Sequence, residues 1–176
     1  MSPAIPRVRL IVLGSVDRGD DGVGPFAVAE LPEELWPLVD VRLRGTLDVV
    51  DISDVPPGGA CLVIDAARGL PAGAIRFIPF TRFLGRGRAG LPEPRSSHEL
   101  PVRDVIRLAA LVRGRLPRGG FLVAGGSAFG LGELPSREVA LAVPRLVDAI
   151  VSAIETFRTR RGRASRTVGV PRCASH

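Results

Sequence analysis

Val12-Leu13-Gly14-Ser15-Val16-Asp17-Arg18-Gly19-Asp20-Asp21-Gly22-Val23-Gly24-Pro25 is the stretch that decides the fold. It follows the apolar run Leu10 to Leu13 and leads into an apolar helical pattern. It therefore reads as a glycine-rich turn from a first strand into a first helix. A nucleotide-binding loop at this point uses glycines and keeps fixed negative charge away from phosphate. This one carries Asp17, Asp20 and Asp21. Carboxylates on such a turn suit a cation.

Working outward, Arg7 to Leu13 reads as a short buried strand and Gly22 to Leu35 as a helix that meets Pro32 near its end. Val39 to Leu43 is a second strand, Asp48 to Asp54 a short helix, and Ala60 to Ile64 a third strand closed by Asp65. Ile75 to Pro79 is a fourth strand, and 81–97 a long loop rich in Arg, Gly and Pro. Val102 to Arg113 is a helix with Val102, Val105, Ile106, Ala109 and Val112 on one face, which Ser96 and Ser97 are expected to cap. Phe121 to Ala124 is a fifth strand. Ser136 caps a last helix reaching Phe157, which Pro144 kinks or splits.

Continuous apolar strands alternating with helices predict an α/β fold: a single three-layer domain with a mostly parallel central sheet of about five strands and helices on both faces. Ligands in such folds sit beyond the carboxyl ends of the strands. Asp21 and Asp65 are then expected on one rim.

Composition excludes several classes. The chain has 176 residues, 45% apolar and 24% charged, which suits one globular domain. No run approaches the ~18 apolar residues of a membrane span, and no secretory signal is apparent. Cys61 and Cys173 make no disulfide framework, and Cys61 in an apolar strand reads as inert core, so the expected compartment is the cytoplasm. The net charge of +6 belongs to residues 156–176, which hold six arginines and no acid. Residues 1–157 are thus the expected domain and 158–176 a basic, disordered tail. Nucleic-acid binding would rest on that tail alone, and no membrane partner is expected. No HExxH, CxxC, Walker or nucleophile-elbow pattern is present.

His98, in Ser96-Ser97-His98-Glu99-Leu100, is the one histidine outside the tail. If its loop crosses the rim, Asp21, Asp65 and His98 form two oxygens and one imidazole nitrogen, a donor set suited to a divalent first-row metal. Each residue alone has a plainer role: Asp20 or Asp21 as a helix cap, Asp65 as a turn tie, His98 as a solvated ring. Asp17 and Asp20 are expected in ordinary loop roles; Asp20 and Glu99 are also candidates for supporting or base roles beside the metal.

Leu13-Gly14, Gly19-Asp20-Asp21-Gly22-Val23-Gly24-Pro25, Val63-Ile64-Asp65-Ala66 and Ser97-His98-Glu99-Leu100, in this order, resemble the hydrogenase maturation endopeptidases. Phe129-Gly130-Leu131-Gly132-Glu133-Leu134-Pro135 and Ala142-Val143-Pro144-Arg145-Leu146-Val147 are similar to that family's final loop and helix. The resemblance implies an endopeptidase that removes a C-terminal extension from the large-subunit precursor of a nickel–iron hydrogenase after nickel insertion. It carries the catalytic and metal-contacting roles over to Asp21, Asp65 and His98. Nickel would arrive with the substrate, and no organic cofactor is implied. The metal could serve as a Lewis acid or chiefly as a recognition handle.

Two departures stand out. Ser15 stands where the family has Asn, and its hydroxyl can still hydrogen-bond the loop. Gly125-Gly126-Ser127-Ala128 replaces Gly-Ile/Val-Glu-Pro and removes a carboxylate near the rim. That loss supports a second expectation, a non-proteolytic assembly factor that binds the precursor or its metal without cleavage.

Overall fold

A computed structural model describes residues 7–84, 93–94 and 100–164. The strands are β1 (Val8–Leu13), β2 (Val39–Arg44), β3 (Ala60–Arg68), β4 (Ile75–Pro79), β5 (Glu93–Pro94) and β6 (Arg118–Gly125). The helices are α1 (Val23–Ala29), α2 (Val49–Ser53), α3 (Phe80–Leu84), α4 (Val102–Arg113), α5 (Arg137–Ala140) and α6 (Val143–Ala164). The sheet runs β2-β1-β3-β6-β4, with the two-residue β5 added beside the end of β3. β2, β1, β3 and β6 are parallel; β4 and β5 join antiparallel. The expected α/β architecture is the observed one.

Alternation along the strands builds the three layers. Leu10 and Val12 of β1 and Leu62, Ile64 and Ala66 of β3 pack with α1 and α6. Ile11 and Leu13 of β1 and Cys61, Val63 and Ala67 of β3 pack with α2, α3 and α4. All six residues of β1 are buried, as a strand covered on both faces requires. Each large aliphatic side chain so placed contributes about 1.5–3 kcal/mol. Burial also pushes the Cys61 thiol far up, so it is the inert core residue expected.

Several boundaries differ from expectation for identifiable reasons. The first helix ends at Ala29, because Pro32 disfavours helical backbone before it; a 3-10 stretch, Glu33–Leu38, follows. β3 continues three residues beyond Asp65, paired with β6 as far as Ala67 and Gly125. Part of the expected 81–97 loop is regular: α3 runs to Leu84 and β5 pairs with Ala67 and Arg68. Pro101, not a serine, holds the N-cap position of α4, and Ser96 and Ser97 lie outside the described residues. Val112 is 72% exposed rather than core: in the last turn of α4 the inward position falls on Arg113, which donates to Val55 O and Pro56 O. The last helix is split as Pro144 implies, into α5 and α6, with Pro144 in the first turn of α6, where a missing N–H is harmless. α6 then runs to Ala164, so residues 158–164 of the expected disordered tail are helical; Cys173 and the rest of the tail lie outside the described residues. No helix among the described residues is long and apolar enough to cross a membrane.

Candidate functional site

The strand order fixes where a ligand crevice can form. From β1 the chain moves to β2 on one side, then crosses to β3 on the other. The carboxyl ends of β1 and β3 therefore flank the topological switch point, where connections diverge and leave an opening. Val12 pairs with Ile64, so Asp65 stands level with Leu13, the last residue of β1. Asp65 is 1% exposed and shares a face with Val63 and Ala67.

From Leu13 the chain turns through Gly14, whose φ of +105° a side-chain-bearing residue rarely adopts. A Cβ there would overlap the carbonyl of Asp21, so glycine lets the turn fold back onto the end of β1. Asp21 lies in the 3-10 turn Gly19–Gly22, which contacts β3, and is 9% exposed. Its Oδ2 accepts the Ser15 N–H at 3.0 Å. This bond uses the backbone of residue 15, which is why Ser can replace Asn there. The Ser15 hydroxyl accepts from the Asp17 N–H at 3.4 Å, within the loop as expected.

Asp20 is more than an ordinary loop residue. It is 0% exposed, and its carboxylate is the hub of the rim. Oδ2 accepts from the Ser127 N–H at 2.7 Å, the Ala128 N–H at 2.9 Å and the Ser136 hydroxyl at 3.0 Å. Oδ1 accepts the Ser136 N–H at 2.6 Å. Burial pushes its pKa up, but the donors from Ala128, Ser127 and Ser136 outweigh that and hold the carboxyl below the ordinary aspartate range. The Asp20 N–H also donates to Ala128 O at 2.7 Å. Ser136 does double duty, since its Oγ also caps α5 by accepting from the Val139 N–H at 3.4 Å.

The two loops are further joined by Gly19 N–H to Glu133 O at 3.1 Å and Gly132 N–H to Asp17 O at 2.8 Å. Gly126 reaches back to β3, donating to Ala67 O at 3.1 Å, and a Cβ on it would press on Asp20 and the Phe129 ring. The segment lacking the family's glutamate is thus bound through its backbone to a carboxylate from the first turn. Asp20 is among the supporting candidates expected from the sequence, but its role as a hub is not legible there, because its partners lie more than a hundred positions away.

The rim gathers Asp21 and Asp65, while His98 and Glu99 lie outside the described residues. The flanking described residues are Pro94, which pairs with Ala67, and Leu100 just before α4. Among the described residues no group of three or more His, Cys, Asp or Glu side chains is arranged to hold a metal. Two carboxylates are the oxygen half of the donor set expected above.

No family model matches the chain, and no curated protein matches it. Solved structures do. HybD, a [NiFe] hydrogenase maturation protease from Thermococcus kodakarensis, superposes with a TM-score of 0.64 at 23% identity, over 84% of this chain and 99% of its own. The maturation protease HycI from Thermococcus kodakarensis KOD1 gives 0.59 at 22% identity, over 87% of this chain and 95% of its own. The hydrogenase maturating endopeptidase HybD from E. coli gives 0.60 at 14% identity, over 85% and 93%. Over 84–87% of its length this chain has the fold of the hydrogenase maturation proteases.

Proposed function

We propose that this protein is an endopeptidase of hydrogenase maturation, which removes a C-terminal extension from the large-subunit precursor of a nickel–iron hydrogenase after nickel is inserted. The observation that carries this reading is the placement of Asp21 and Asp65 at the switch point between β1 and β3, in the fold of proteins named for that activity. Asp21, Asp65 and His98 would hold the nickel that the precursor brings. Their donor chemistry fits such an ion, and the part they supply is position: the peptide next to the bound metal is held against the rim for attack by water. Burial of Asp65 and the near-burial of Asp21 strengthen their pull on a cation. Cytoplasmic placement belongs to the same proposal, since the precursor is processed where nickel is inserted.

The test is incubation of the purified protein with nickel-loaded and nickel-free precursor, followed by mass spectrometry of the large subunit. Shortening of the loaded form alone is the expected result. Equal cleavage of both forms, or of neither, overturns the reading.

A further inference from the structure

Arg68 ends β3, three residues beyond Asp65, and is exposed. Its guanidinium carbon lies 4.6 Å from the centre of the Phe129 ring. Phe129 is buried and directly follows Ser127 and Ala128, whose N–H groups bind Asp20. The cation is therefore held on a ring fixed by the same hub that builds the rim. A guanidinium against a ring face keeps its planar N–H fork for a carboxylate. Among the described residues Arg68 makes no ion pair. Asp17 and Glu133 are exposed on the neighbouring loops, and Arg18 is exposed in the same turn as Asp17, so an acidic peptide meets like charge on part of this rim and favourable charge at Arg68 and Arg18.

We propose that Arg68 is a specificity residue that reads a carboxylate on the bound peptide, away from the bond that is cut. The proposal rests on the peptidase reading above. Three residues of strand span about 10 Å and turn Arg68 to the sheet face opposite Asp65, the face of Ala66 and Phe129. Arg68 thus addresses a group beside the reacting bond, either an Asp or Glu side chain or the free C-terminus.

Fluorescence anisotropy tests this with a labelled peptide spanning the C-terminal extension of the large-subunit precursor encoded in the same genome. Three forms are compared: unmodified, C-terminally amidated, and with Asp and Glu replaced by Asn and Gln. The wild-type protein should bind one neutralised form about tenfold more weakly than the unmodified peptide, and that form identifies the source of the carboxylate. Arg68→Gln should bind the unmodified peptide about tenfold more weakly and lose the preference, with Arg68→Lys between the two. Glu93→Gln, at the position opposite Arg68 in the β3–β5 register, should change nothing. The proposal is overturned if wild type binds all three forms alike or binds none, if Arg68→Gln keeps the preference, or if Glu93→Gln reproduces its loss. The wild-type preference alone decides should the Arg68 variants melt early. Cleavage is scored separately, so a peptide preference without cleavage of loaded precursor would overturn the peptidase reading and leave the carboxylate site standing.

Discussion

Two corners of the molecule bury a charge, and they do it differently. At one, Arg9 of β1 is 4% exposed and donates from Nε to Asp40 at 3.0 Å and from Nη1 to Asp51 O at 3.2 Å, with Asp54 at 3.8 Å. Asp40 stands opposite Arg9 in the β1–β2 ladder, and Asp51 belongs to the capping box of α2. The charge is met by opposite charge on elements already fixed by ladders and helix bonds. At the other corner Asp20 meets, among the described residues, only N–H and O–H dipoles from a segment without a ladder. The Arg9 corner adds stability to a frame that exists without it. The Asp20 corner supplies the geometry of the rim itself.

Asp20→Ala should break this comparison most strongly. It strands three backbone N–H groups, at about 1–3 kcal/mol each, so a loss of about 4 kcal/mol in chemical denaturation is expected. Hydrogen exchange should show residues 126–136 losing protection before the sheet does, and cleavage should fall with it. Arg9→Met comes next, with about 2 kcal/mol lost: it removes one partner of a buried pair, but Asp40 is partly exposed and keeps Arg42 at 3.5 Å. Cleavage per folded molecule should be unchanged; a parallel fall in activity would show that the Arg9 corner also shapes the rim.

Acid acts on the Asp20 corner through that one carboxyl. The folded carboxyl of Asp20 has a lowered pKa, so below the ordinary value of about 3.9 the unfolded chain binds the extra proton. The stability it contributes is whole above that value and is lost as pH falls through the folded one. Asp20→Asn should flatten this part of a Tm-against-pH curve. The smallest effect belongs to Val112→Arg, within about 0.5 kcal/mol by thermal melting, because the side chain is already in water.

The layers were legible in the sequence because burial on both faces leaves a local trace: the apolar runs of β1 and β3 and the three-four spacing of Val102, Val105, Ile106 and Ala109. Asp21 and Asp65 were legible as residues, since strand ends in such a fold share a rim. What was hidden depends on distant partners. β3 runs on to Ala67 because β6 continues beside it, and to Arg68 because β5 pairs there, which no pattern in 60–68 reveals. The roles of Asp20 and Arg68 depend on Ser127, Ala128, Phe129 and Ser136, which only the folded chain brings near.

On the proposed function, a nickel-bearing precursor is cut at the rim between β1 and β3. Asp21→Asn tests it most directly, because it keeps the shape of the side chain and an oxygen for the Ser15 N–H while removing the charge offered to metal. With nickel-loaded precursor, cleavage should fall by about a hundredfold or more while the melting temperature stays near that of wild type. Cleavage at the wild-type rate by a folded Asp21→Asn protein would mean that this rim does not cut the precursor.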